Sequence, residues 1–256
     1  MRILLTNDDG IEAPGIMALK QELDKVGEVF VVAPERPRSA SGHAITLHKA
    51  LRLPKVTLKD GTEGWACSGT PSDCVTLGWE IVLDNRVDIV VSGINAGPNL
   101  GWDVTYSGTV SAALEGAILG APAIAVSLAG EREPFDYGTA ARFTRQVVEH
   151  VGERGMEKYS LLNINVPPLP ADQICGVEIT HQGRRQYVDR IDKRTDPWGR
   201  DYYWLCGSLK DEAADEKSDV HAVLQNKISV TPIHLDLTAT HLISEMQKWS
   251  LTVEKV

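Results

Sequence analysis

The chain is 256 residues long, 43% hydrophobic and 24% charged, a balance that builds a sizeable core and excludes wholesale disorder. A formal net charge of -9 and a pI near 5.3 argue against binding a nucleic-acid polymer, which depends on basic patches. A small phosphorylated ligand stays compatible, provided that a cation or backbone amides offset the repulsion locally.

In chain order, the first predicted element is a buried strand over residues 3–6, an apolar run too short for a signal-peptide core and closed by acids. No stretch approaches the roughly 18 apolar residues of a membrane span, so no membrane partner is expected. The four cysteines, Cys67, Cys74, Cys175 and Cys206, show no C-x-x-C pair and no zinc spacing. They read as free buried thiols in a reducing compartment, and the expected location is cytoplasmic. Further strands are predicted at 29–33, 87–92 and 123–127, with helices at 16–23, 73–81 and 110–119 between them. That alternation indicates a doubly wound α/β fold, a mostly parallel sheet covered on both faces.

Beyond residue 130 the rhythm changes. An amphipathic helix is predicted over 135–151, with Phe143, Val147, Val148 and Val151 on its apolar side. A strand at 161–166 is stopped by Pro167 and Pro168. Residues 176–232 are richer in strand-like runs, among them 176–180, 201–205 and 228–232. A terminal helix is predicted at 240–249, with Leu242, Ile243, Met246 and Trp249 as its apolar stripe. The expected division is an α/β catalytic core over residues 1–170 and a β-rich extension with a C-terminal helix over 171–256.

Open parallel sheets bind ligands beyond the carboxyl ends of their strands, so the residues after each apolar run carry the information. The first run ends in Asn7-Asp8-Asp9-Gly10. Adjacent carboxylates raise each other's pKa unless a cation or donors compensate, although such acids also suit the start of the next helix. The second run leads into a proline-marked loop with hydroxyls, Arg36, Arg38 and His43. The third leads to a glycine-rich stretch, 93–101, where Asn95 offers a neutral oxygen ligand or simply favours a tight turn. Ser107-Gly108-Thr109 opens a strongly helical run, a place for a phosphate on free amides or for an ordinary hydroxyl cap. Thr70, Pro71 and Asp73 read first as a capping arrangement. Asp8, Asp9, a Ser39 hydroxyl and the Asn95 carboxamide together make an all-oxygen donor set of the kind that favours Mg²⁺ or Mn²⁺.

Longer blocks stand at Asn7-Asp8-Asp9-Gly10 with Pro14-Gly15, and at Arg38-Ser39-Ala40-Ser41-Gly42-His43-Ala44-Ile45-Thr46. They continue through Gly69-Thr70-Pro71-Ser72-Asp73-Cys74-Val75 and Val91-Ser92-Gly93-Ile94-Asn95-Ala96-Gly97-Pro98-Asn99-Leu100-Gly101. Tyr106-Ser107-Gly108-Thr109-Val110, Asn163-Ile164-Asn165-Val166-Pro167 and Ser229-Val230-Thr231-Pro232-Ile233 complete the series. In these blocks the chain resembles the SurE family, the stationary-phase survival proteins that act as nucleotide phosphatases. The resemblance implies a Rossmann-like core, one Mg²⁺ or Mn²⁺ per subunit, and hydrolysis of nucleoside 5′- and often 3′-monophosphates, with short polyphosphate beside them. It places metal ligands on Asp8, Asp9, Ser39 and Asn95, and catalysis on Asp8, Asp9 and Asn95. Phosphate contacts fall on Asn95, Asn99, Ser107, Gly108 and Thr109. It also implies homodimers or homotetramers that exchange the C-terminal arm. Two positions depart from the pattern: Asn226-Lys227 replaces a frequent Gly-Tyr, and Thr105 stands where some members carry His.

Other readings of the first strand's acids fit less well. A receiver-type phosphoacceptor module needs Asp after a central strand and Lys after a later one, where this chain has Asn95 and Leu128. A haloacid-dehalogenase-type phosphatase needs Asp-x-Asp, and a nicotinamide dehydrogenase needs G-x-G-x-x-G; residues 7–10 supply neither. A non-catalytic nucleotide- or metal-binding protein on the same scaffold uses the same ligands and differs only in turnover.

Overall fold

The structure, a computed structural model, describes residues 1–130, 135–188, 191–211 and 215–253. Strand β1 (Arg2–Thr6) is buried over nearly its whole length. Helix α1 (Pro14–Leu23) follows, opened by Pro14 where a missing N–H costs no hydrogen bond. Strand β2 (Glu28–Pro34) pairs parallel to β1. A hairpin of β3 (Lys55–Thr57) and β4 (Glu63–Cys67) extends that side, with β4 parallel to β2. The chain then returns through α2 (Pro71–Leu77) to β5 (Ile89–Ala96), on the other edge of β1. From there it winds outward through α3 (Gly108–Leu119), β6 (Ala123–Leu128), α4 (Gly138–Arg154) and β7 (Ser160–Val166). The parallel order β4-β2-β1-β5-β6-β7 is doubly wound, and its direction reverses between β1 and β5. A ligand crevice is expected at that reversal.

Alternation along β1 divides the core between the two faces of the sheet. Ile3 and Leu5 pack with Ile16, Leu19 and Val148 of α1 and α4, while Leu4 packs with Cys74, Val110 and Ala113 of α2 and α3. Helix α3 lies close on the sheet because its contact residues are small: a Cβ on Gly116 would sit 2.7 Å from Val90 Cβ. The helix predicted at 73–81 is α2 followed by a π turn, Gly78–Val82. Gly78 begins that turn against Leu4, with 2.7 Å between an added Cβ and Leu4 Cδ1. The strand predicted at 87–92 is β5, Ile89–Ala96, so the first four residues of the glycine-rich stretch belong to the sheet.

The last third contributes both to this sheet and to structure outside it. Strands β8 (Val177–Ile179), β9 (Arg185–Val188), β10 (Ile191–Thr195), β11 (Asp201–Leu205) and β12 (Ser208–Asp211) precede helix α5 (Asp219–Leu224). Strand β13 (Ile228–His234) then runs antiparallel to β7 and parallel to β8, which completes a nine-stranded sheet among the described residues. β9 pairs with β12 and β10 with β11, each antiparallel. Helix α6 (Thr240–Met246) ends short of the predicted 249, and its stripe of Leu242, Ile243, Met246 and Trp249 is exposed. Cys67 and Cys74 are buried free thiols as expected, whereas Cys175 and Cys206 are exposed. Among the described residues no helix is long and apolar enough to cross a membrane.

One ion-pair cluster fixes α1 to the β3–β4 hairpin. Lys20, with 5% of its side chain exposed, meets Asp24 at 2.8 Å and Asp60 at 2.9 Å. Burial acts to raise the Asp60 carboxyl, but bonds from Thr62 and Lys20 more than offset it and hold the group at about 2. A folded-state pKa below the unfolded one stabilises the fold above the unfolded value, and that contribution fades as pH falls through the folded value. Asp60→Asn is therefore expected to cost about 1–2 kcal/mol at neutral pH and to flatten the loss of stability between roughly pH 4 and pH 2. Urea melts at pH 7 and pH 3 check this; equal losses at both would reject it.

Candidate functional site

A cleft of about 470 Å³ opens at the reversal between β1 and β5, lined by Asp8, Asp9, Ser39, Asn95, Asn99 and Ser107. The polar residues expected after three separate strands thus meet in one place. Asn7 makes the turn after β1: its Nδ2 donates to Gly10 O at 2.9 Å, and Gly10 N donates back to Asn7 Oδ1 at 3.1 Å. Gly10 has φ +98°, a conformation that favours glycine. The turn places Asp8 against the start of α3, where Thr109 Oγ1 donates to Asp8 Oδ1. Burial pushes the Asp8 carboxyl up to about 6; the Thr109 hydroxyl opposes the rise, and the charge of Asp9 adds to it.

Asp9 Oδ2 accepts the Ala96 N–H at 3.0 Å, which ties the end of β1 to the end of β5. Asn95 donates its Nδ2 to Gly97 O at 2.8 Å, a bond that does not use its carboxamide oxygen. The Ser39 loop is anchored on both sides. Arg38 N donates to Asp8 O at 2.7 Å, the Arg38 guanidinium to Ser68 O at 2.8 Å, and Gly42 N to Tyr106 O at 3.0 Å. Among the described residues no group of three or more His, Cys, Asp or Glu side chains is placed to hold a metal ion. Two carboxylates, a hydroxyl and a carboxamide oxygen are instead a hard donor set. An acid raised by burial, with a second acid beside it, is an environment that a cation relieves.

Ser107 and Thr109 have structural partners of their own. Ser107 caps α3, its Oγ accepting the Val110 N–H at 3.1 Å, and the Thr109 hydroxyl is committed to Asp8. Gly108 lies directly behind the cleft: a Cβ there would come within 2.8 Å of Asp8 Cβ. Thr70 and Asp73 form the expected capping box, and Asp73 also accepts the Thr46 N–H and hydroxyl. His43 is not at the cleft; its Nε2 meets Glu115 Oε2 of α3 at 2.8 Å. Thr105, at the position of a His in some relatives, donates its hydroxyl to Trp102 O at 2.8 Å.

Asp103 and Tyr106 also line the cleft, and neither was among the predicted site residues. Arg185, from the extension, meets Asp103 at 3.2 Å. The same extension grips the loop before it: Gly101 N donates to Asp219 Oδ2 at 2.8 Å, and Gln182 Nε2 donates to Gly101 O at 2.7 Å. No local signal in the sequence announces contacts across so many residues.

The model of the Survival protein SurE family matches residues 3–189. Over 250 residues the chain is 52% identical to the 5′-nucleotidase SurE of Heliobacterium modesticaldum, across 97% of this chain and 92% of that protein. The 5′-nucleotidase SurE of Moorella thermoacetica is 53% identical over 239 residues, across 93% of this chain and 92% of its own length. The crystal structure of the SurE protein from Aquifex aeolicus matches with a TM-score of 0.86 at 42% identity, over 96% of this chain and 98% of that one. On the family model and on relatives this similar over nearly their whole length, the chain belongs to the SurE family.

Proposed function

We propose that the chain is a metal-dependent 5′-nucleotidase, which hydrolyses nucleoside 5′-monophosphates to nucleoside and phosphate and also accepts 3′-monophosphates and short polyphosphate. The observation that carries this reading is the convergence of Asp8, Asp9, Ser39 and Asn95 on one cleft beside the first turn of α3. Those four residues would hold one Mg²⁺ or Mn²⁺ per subunit, which neutralises phosphoryl charge and lowers the pKa of a bound water. Thr109 fixes the orientation of the Asp8 carboxylate, and Asp8 orients the attacking water. The amide of Gly108, the Ser107 hydroxyl and the positive end of α3 bind the phosphate oxygens and favour the charge of an in-line displacement. Asn95 and Asn99 complete the phosphate contacts from the β5 side.

Residues 1–170 carry this chemistry, and the extension over 171–256 carries assembly into dimers or tetramers. The exposed apolar residues of the extension support that division, with Trp198 78%, Leu205 88% and Trp249 52% exposed. The buried free thiols of Cys67 and Cys74 fit a cytoplasmic location.

Phosphate release from nucleoside monophosphates, tripolyphosphate and ribose 5-phosphate tests the reading, with Mg²⁺ or Mn²⁺ and again in EDTA. Turnover of the nucleotides is expected with metal and is expected to fall to background in EDTA. Nucleotide binding without phosphate release makes the protein a binding module instead.

A further inference from the structure

Asn163 and Asn165 lie two residues apart on β7, so both side chains stand on one face of the sheet, and both are fully buried. Two strands, β5 and β6, lie between β7 and β1, and neither residue lines the cleft. Both nevertheless reach residue 99. Asn163 Nδ2 and Asn165 Nδ2 each donate to the Asn99 backbone carbonyl at 2.9 Å, and Asn99 N donates to Asn165 Oδ1 at 2.8 Å. Ser127, paired with Asn165 across the β6–β7 ladder, accepts from Asn99 Nδ2 at 2.7 Å. The main chain and the side-chain amide of Asn99 are thus held by three buried residues from two neighbouring strands.

Asn163 shows what this arrangement serves. Its Oδ1 is buried and has no hydrogen-bond partner, a state that is unfavourable for any polar atom. A leucine of similar size would remove that cost, and Asn99 O would keep its bond from Asn165. The side-chain hydrogen bond that Asn163 does make ends on the main chain of a residue that lines the cleft.

The geometry points to Asn163, Asn165 and Ser127 as positioning residues that set Asn99, and with it the phosphate-facing wall of the cleft. This rests on the reading of the cleft as a phosphate site. It assigns a role to the Asn163-Ile164-Asn165 stretch, which does not itself line the cleft. Correct placement of a binding group within a fraction of an ångström is a large part of affinity for a small rigid anion.

The test uses the full chain with Mn²⁺, nucleoside monophosphate as substrate and inorganic phosphate as competitive inhibitor. Asn163→Leu is expected to melt at or above the wild-type temperature while KM and the phosphate Ki rise at least fivefold. A merely structural role predicts the reverse: a lower melting temperature with KM and Ki unchanged in the folded fraction. Ser127→Ala, which frees the Asn99 amide without touching Asn163, is expected to raise both constants in the same way and decides the matter if Asn163→Leu does not fold. Wild-type constants in the folded variants overturn this inference alone. A wild type that neither turns over nor is inhibited by phosphate overturns the functional reading and this inference with it.

Discussion

Asp8→Asn is expected to reduce metal-dependent turnover by roughly 10³-fold or more, since several kcal/mol of charge stabilisation go with the lost carboxylate. The same variant is expected to be more stable than the parent in EDTA. The substitution keeps the shape and an oxygen for the Thr109 hydroxyl, and it removes a charge that burial and Asp9 both disfavour. The sign follows from linkage. An acid whose folded-state pKa is raised to about 6 holds its proton more tightly folded than unfolded, so ionisation destabilises the fold at neutral pH. Removal of that ionisation returns about 2 kcal/mol at pH 7 and nothing below roughly pH 4, where the carboxyl is protonated in both states. Kinetics with Mn²⁺ and melts in EDTA at pH 7 and pH 4 check both halves. Activity within tenfold of wild type, or a melting temperature that falls at pH 7, would remove Asp8 from its assigned place.

Gly108→Ala carries the second large effect, and a helix-propensity argument gives it the wrong sign. Position 108 opens α3, where alanine is the better helix former by about 1 kcal/mol. A Cβ there, however, would lie 2.8 Å from Asp8 Cβ, 2.8 Å from Ser41 Oγ and 2.9 Å from Asp8 Oδ2. Two of these atoms belong to Asp8, whose carboxylate is held in place by Thr109, so Asp8 has to move or α3 has to lift. Displacement of a catalytic group by about 1 Å costs on the order of 10²-fold in rate. The expected result is a hundredfold loss in kcat/KM with a nearly unchanged melting temperature. Wild-type kinetics in this variant would show that the contact between α3 and the acid pair is not needed.

Much of this site is legible in the sequence because each of its members directly follows an apolar run. Asp8 and Asp9 follow β1, Ser39 follows β2, Asn95 ends β5, and residues 107–109 open α3. Fold topology converts that local rule into a meeting point, so no long-range information is needed. The β3–β4 hairpin escapes prediction because Lys55–Thr57 and Glu63–Cys67 are short and mixed in polarity, without clear alternation. The placement of β13 beside β7 escapes for another reason. Its inward residues include Ser229 and Thr231, which form a buried hydroxyl cluster with Thr180 of a kind that hydrophobic periodicity does not register. The grip of Asp219 on Gly101 and of Asn165 on Asn99 joins residues 118 and 66 positions apart, and only coordinates bring them together.

The antiparallel closure of β7 by β13 has a consequence for the order in which the polypeptide is made. When a ribosome has released the chain through β7, every residue that lines the cleft is already present, yet that strand has a bare edge. Residues 167–227 must follow before its hydrogen-bonding partner arrives, and Asp219 comes near the end of that interval. The newborn molecule therefore holds its chemistry unlocked and its sheet open to wrong pairing until β13 has been made. A chain that folds before then does so with one edge of β7 unpaired.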